Sequence, residues 1–95
     1  MTLGKVTGTV VATRKDPKLV GGKLLIVQDV DLDGNILEKY SVAVDSVGAG
    51  VGELVLTASG SSARITDATK DKPVDSVIMG IVDTLEVHGK ILYQK

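Results

Sequence analysis

The chain has no cysteine. That rules out a disulfide framework and any cysteine-ligated metal site. It also has no phenylalanine or tryptophan; Tyr40 and Tyr93 are its only aromatics. A core must therefore be built from Val, Leu, Ile and Ala, and single-stranded nucleic acid would find few stacking platforms. His88 is the single histidine. An excess of one charge is missing too. Eleven Lys and Arg stand against twelve Asp and Glu, for a net charge of −1, which leaves no electrostatic footprint for nucleic acid or anionic membrane. No apolar run approaches the roughly 18 residues of a membrane span. The N-terminus, MTLGKVTGTVV, lacks the apolar stretch of a signal peptide. The default expectation is a cytoplasmic protein with no membrane partner.

What remains is 95 residues rich in Val, Thr and Gly, enough for one domain spanning 1–95 with a modest core. Alternation dominates the pattern, and β-branched residues favour strands. Over 3–14, Val6, Gly8, Val10 and Ala12 share one face, opposite Lys5, Thr7, Thr9 and Thr13. DPKLVGG (16–22) reads as a loop and LLIVQDV (24–30) as a second strand. Asp33-Gly34 signals a hairpin with a type I′ turn, returning as strand 36–44 with Tyr40, Val42 and Val44 on one face. A fourth strand alternates Leu54, Leu56 and Ala58 with Glu53, Val55 and Thr57. SSAR (61–64) fits one short helical turn capped by Ser61 or its neighbour, and 65–73 an exposed loop. VIMGIVDTLEV (77–87) is a fifth strand, apolar on both faces at its start; His88-Gly89 then turns the chain into ILY (91–93). The fold class is all-β: a small five-stranded barrel with one helical turn and a C-terminal hairpin.

Two stretches imitate functional motifs. DSVGAGVGELVLTASGSSAR (45–64) opens like a phosphate-binding glycine loop. A dinucleotide fingerprint needs its third glycine where Glu53 stands, and a helix where a strand pattern follows. No Gly-Lys-Ser/Thr follows either, so no cofactor is expected there. DVDLDGNI (29–36) copies the start of a calcium loop through Asp29, Asp31, Asp33, Gly34 and Ile36. Tyr40, however, occupies the place of the bidentate glutamate, and the flanks are strands. Ser59, Ser61 and Ser62 could serve as nucleophiles only with a base, and His88 sits at a turn. Asp45, Asp75 and Asp83 are expected to cap turns or meet basic side chains. Neither catalysis nor a metal site is expected. Arg64 could bond a carboxylate within the chain or across an interface. On these residues alone, the expectation is a small all-β domain that forms oligomers, with a metabolite- or single-strand-binding module as the alternative.

DSVGAGVGELVLTASGSSAR (45–64), PVDSVIMGIVD (73–83), GKVTGTVVAT and KLLIVQ together resemble the EutN/CcmL family of bacterial microcompartment vertex proteins over nearly the whole chain. The resemblance implies an OB-like barrel assembled as a homopentamer that caps the vertices of a shell faceted with hexameric proteins. It implies that Gly48, Ala49, Gly50 and Val51 face the fivefold axis. It places Glu53, Gly60, Ser61, Ser62, Ala63 and Arg64 at or near the subunit interface, with Glu53 or Arg64 pairing there.

Overall fold

The computed structural model describes residues 1–13, 16–19, 22–66, 69 and 75–95, with Leu19, Ser61 and Ser62 described by backbone alone. Among the described residues seven strands form: β1 (Thr2–Val10), β2 (Leu24–Val30), β3 (Ile36–Asp45), β4 (Leu54–Ser59), β5 (Ser76–Ile81), β6 (Thr84–Val87) and β7 (Lys90–Gln94). Short 3-10 turns cover Pro17–Leu19 and Gly60–Arg64. The first five strands close in the order β1-β2-β3-β5-β4, while β6 and β7 pair only with each other. All barrel pairings are antiparallel except β3 with β5, which run parallel through Val44 opposite Val77 and Asp45 opposite Ile78. This is an OB-like barrel.

The interior explains the missing aromatics. A five-stranded barrel is narrow, and Val6, Leu25, Val27, Ala43, Ala49, Val55 and Ile78 fill it. A second cluster lies outside the sheet, where Val44, Ala58 and Val77 pack beneath Ala63 of the Gly60–Arg64 turn. Val77 and Ile78 are both fully buried because β5 is covered on both faces at this point.

Several expectations needed correction. β1 ends at Val10, and its register shifts between Val6 and Gly8. Val6 pairs with inward Val27, and Gly8 with Ile26 on the opposite face. The bulge at Thr7 therefore puts Gly8 outside the barrel, and the single face drawn through Val6, Gly8 and Val10 does not exist. In β4 the inward residues are Val55 and Thr57, opposite Ile81 and Ile78. The apolar set Leu54, Leu56 and Ala58 faces outward; Leu54 and Ala58 are buried there by other elements. In β3 the set Tyr40, Val42 and Val44 shares one face as expected; it is the outer one, with Val44 covered.

The turns also differ from the reading. At 31–35 only Gly34 takes positive φ, +85°, so the turn is not type I′. Asp31 organises it instead: Oδ1 accepts the amides of Asp33 and Asn35, both at 2.9 Å. The amide of Asn35, followed by burial working the other way, sets the balance that holds the Asp31 carboxyl below its ordinary value. The type I′ turn is at His88-Gly89, with φ of +52° and +78°. The long fifth strand is two strands, broken at Val82 and Asp83, where the Val82 amide bonds the Leu54 carbonyl at 2.8 Å. The Gly60–Arg64 turn has Ser59 at its N-cap without a side-chain cap bond. Of the expected exposed loop 65–73, Ile65 is exposed and Thr69 is fully buried, its hydroxyl 2.6 Å from that of Thr66; residues 67, 68 and 70–73 lie outside the described residues.

Candidate functional site

The glycine loop joins β3 to β4 and is fastened by side chains at nearly every step. Asp45 ends β3, and its Oδ1 accepts the amides of Val47 at 3.0 Å and Gly48 at 3.1 Å. Ser46 donates its hydroxyl to the Ile78 carbonyl at 2.6 Å. Lys23, just before β2, donates from Nζ to the Ala49 carbonyl at 2.9 Å and lies 4.0 Å from Asp45 Oδ2. Glu53 Oε1 accepts the Gly50 amide at 2.6 Å, and the Glu53 amide returns to the Gly50 carbonyl at 3.2 Å. β1 holds the loop's far end, with the Gly52 amide on the Val6 carbonyl at 2.8 Å and the Val6 amide on the Glu53 carbonyl at 3.0 Å.

The loop is thus a fixed hairpin with a side-chain-poor tip. Val51 is 63% exposed and projects from it; Val47 and Gly48 are exposed as well. Gly48 and Gly52 have φ of +81° and +93°, a region that disfavours any side chain. Ala49 does something different. It is fully buried among the barrel residues, so its methyl plugs the barrel and only its backbone belongs to the loop surface. Ala63 is corrected in the same way: it is fully buried beneath its own turn, in contact with this chain's Val44, Ala58 and Val77. Both small residues are needed inside the protomer, where the sequence reading had placed them on the axis and the interface.

Glu53 is also committed within the chain. Its Oε2 lies 2.7 Å from Lys95 Nζ. The bond from Lys95, followed by that from the Gly50 amide, holds the Glu53 carboxyl below its ordinary value, and the same bond raises Lys95. Lys95 was missed in the sequence because nothing in local spacing links a terminal lysine to a loop some forty positions away. Lys23 and Ser46 were missed for the same reason, being long-range fasteners. Arg64 is exposed and makes no ion pair among the described residues. Gly60 is exposed at φ +65°.

A depressed carboxyl contributes stability above its unfolded pKa and loses it as pH falls through the folded value. Glu53→Gln keeps an oxygen for the Gly50 amide but removes the charge facing Lys95. We expect Glu53→Gln to melt below the parent at neutral pH. The gap in melting temperature should close as pH drops below the ordinary glutamate range, about 4.3. A gap that stays constant from neutral to acid pH would show that the ion pair contributes nothing.

The other concavities offer less. At one barrel mouth, a cleft of about 150 Å³ is lined by hydroxyls and by Asp29, Asp75, Lys39 and Tyr40. Its hydroxyls pair with each other, Thr2 with Thr57 at 2.6 Å and Ser41 with Ser76 at 3.3 Å. Two carboxylates beside one lysine and one tyrosine do not make a single-strand groove. Among the described residues no three His, Asp or Glu side chains gather as metal ligands. In the calcium-like stretch, Asp31 spends its carboxylate on backbone amides.

Comparison with known proteins bears on this arrangement. A family model described as ethanolamine utilisation protein EutN/carboxysome matches residues 1–83. The carboxysome protein CcmL of Nostoc sp. superposes with a TM-score of 0.96 at 50% identity, covering 100% of each chain. The bacterial microcompartment shell vertex protein PduN of Salmonella typhimurium is 52% identical over 89 residues, covering 90% of this chain and 98% of the relative. The pentameric microcompartment shell protein GrpN of Rhodospirillum rubrum superposes with a TM-score of 0.80 at 45% identity, covering 92% of this chain and 98% of that one.

Proposed function

The chain belongs to the EutN/CcmL family, and from that premise we propose that five copies close into a ring that caps a vertex of a polyhedral microcompartment shell. It is a structural protein of the shell and not an enzyme. The observation that carries this reading is the match along the whole chain to shell vertex proteins, with a pentameric relative among them. Geometry supplies the purpose of the ring. A lattice of hexameric tiles stays flat, and fivefold defects let it close. The ring's partners are therefore its own copies and, at its rim, the hexameric shell proteins. Residues 1–95 act as one vertex domain, and the role needs no cofactor, nucleic acid or membrane.

Within the ring, Gly48, Gly50, Val51 and the Ala49 backbone turn toward the axis. Gly50 supports this placement. Its φ is not positive, and a Cβ there would meet only the Glu53 carboxylate, at 3.4 Å. The protomer does not require glycine at this position, whereas five converging copies would. Gly60, Ser61, Ser62 and Arg64 lie at the contact between neighbours, where Arg64, which makes no ion pair among the described residues, meets a carboxylate of the next copy.

Sedimentation tests the reading directly: a species of about five times the 9.9 kDa chain is expected, and a monomer would overturn it. Gly50→Leu should give a folded protomer that fails to close the ring. Arg64→Ala should raise the concentration needed for assembly roughly tenfold, as loss of a desolvated interface arginine does. An unchanged ring in either variant would remove that residue from its assigned place.

A further inference from the structure

One end of the barrel is plugged by the Ala49 methyl beneath the glycine loop. The opposite end is open, and there the inward residue of every barrel strand is polar. The register puts Thr2 of β1, Asp29 of β2, Ser41 of β3, Thr57 of β4 and Ser76 of β5 on the face that carries Val6, Val27, Ala43, Val55 and Ile78 further in. These five residues, with Lys39 and Asp75, line the cleft of about 150 Å³.

Contact with water at a barrel end does not account for this lining. Thr57 and Ser76 are each only 6% exposed, and valine in place of Thr57 would suit a strand and extend the core. Their hydroxyls are held in pairs, Thr57 with Thr2 at 2.6 Å and Ser76 with Ser41 at 3.3 Å. Each pair carries two hydroxyl protons and uses one. Among the described residues these four hydroxyls make no other hydrogen bond, so one O–H of each pair is left to donate at the cleft. The charges are uncommitted as well. Asp29, Lys39 and Asp75 make no ion pair among the described residues.

The lining selects among ligands. A volume below the roughly 300–1,000 Å³ of sites for drug-sized molecules calls for a small occupant, and the mouth of a β-barrel is a common place for one. A simple anion would face two carboxylates, and a simple cation the Lys39 ammonium. A neutral polyol would leave all three charges without a counterpart. A divalent ion needs about six oxygen ligands, and no three acidic side chains gather here among the described residues. One molecule carrying both charges answers the whole lining. We propose that this mouth binds a small zwitterion of the amino-acid class. Its ammonium meets Asp29 and Asp75; its carboxylate meets Lys39 and the two free hydroxyl protons. The site is built by a single copy, so it stands apart from the ring and goes beyond the shell role.

The test titrates the full-length, ¹⁵N-labelled chain with glycine at neutral pH and follows amide shifts by NMR. The Ser41, Thr57 and Ser76 amides should move together and saturate, with a dissociation constant of about 1–10 mM for so small and half-open a site. Methylamine and acetate, each carrying one of the two charges, should bind at least roughly tenfold more weakly at matched ionic strength. Lys39→Met and Asp29→Asn should each weaken glycine at least roughly tenfold, by loss of a charge-assisted bond. Lys39 is exposed and Asp29 half-buried; Asp75→Asn replaces Asp29→Asn if circular dichroism departs from the parent. Absence of a saturable shift at these amides would overturn the proposal. So would methylamine or acetate binding as tightly as glycine, or magnesium moving the same amides at lower concentration than glycine.

Discussion

Leu25→Ala will be among the most damaging conservative changes in this chain, costing about 2–5 kcal/mol. Leu25 is fully buried on β2 and meets the barrel interior formed by Val6, Val27, Ala43, Ala49, Val55 and Ile78. Truncation removes its transfer free energy and leaves a void. How much of the void closes decides the position within the range. Here closure is resisted on every side, because β1 to β5 form a hydrogen-bonded ring whose circumference cannot shrink around one missing side chain. No large aromatic or flexible methionine lies in the interior cluster to swing into the gap. The upper half of the range follows, against a typical total of about 5–15 kcal/mol for a domain. For a chain of this size each kcal/mol lowers the melting temperature by about 4–8 °C. Assembly adds stability by mass action, so parent and variant must be compared at one protein concentration. Val42→Ala, on the outer face, provides the control: in dissociated protein it should fall within about 0.5 kcal/mol of the parent. A loss under about 1 kcal/mol for Leu25→Ala would mean that the barrel is not close-packed.

How much of this was legible in the sequence depended on the range of the interaction involved. The bounds of β2 could be read to the residue, because the apolar, β-branched run LLIVQDV lies between clear turn signals. The C-terminal hairpin could be read from His88-Gly89, although the same rule was applied to Asp33-Gly34, where it fails. Both dipeptides end in glycine; what differs is Asp31, whose carboxylate gathers two amides and selects another turn. Alternation does not say which face is the inner one where both are apolar. Leu54 and Ala58 are buried, but on the outside of the barrel, by the C-terminal arm and the 3-10 turn. The Thr7 bulge reverses the parity of β1, and its one marker in the residues is Gly8 beside it, since a glycine inside a strand often marks a bulge. Within the site, the loop and its glycines were visible as a motif. Its fasteners Lys23, Ser46 and Lys95 were not, since closing the barrel is what brings them there. The assembly itself came from family resemblance and not from strand patterns.

Ala49→Leu should separate what the barrel needs from what the ring needs. The larger side chain has no space, because Ala49 is fully buried against the interior cluster. Overpacking of this kind costs about 1–3 kcal/mol. The strain would be relieved by lifting the loop, and lifting it stretches the Lys23 bond to the Ala49 carbonyl and the Glu53 bond to the Gly50 amide. The variant should therefore lose stability as a protomer and lose the ring with it. Val51→Leu makes the same kind of enlargement two residues on, at a side chain already 63% exposed. Under dissociating conditions it should unfold within about 0.5 kcal/mol of the parent, while under assembling conditions the axial placement proposed for Val51 would repeat its bulk five times around the ring. The contrast is read by denaturant unfolding at low concentration beside native mass spectrometry at high concentration. Ala49→Leu changes both readings, and Val51→Leu changes only the second. If Val51→Leu leaves the ring at the parent's mass and dissociation profile, the tip of the loop does not reach the axis. If Ala49→Leu spares the protomer, the alanine is not the plug that the barrel interior makes of it.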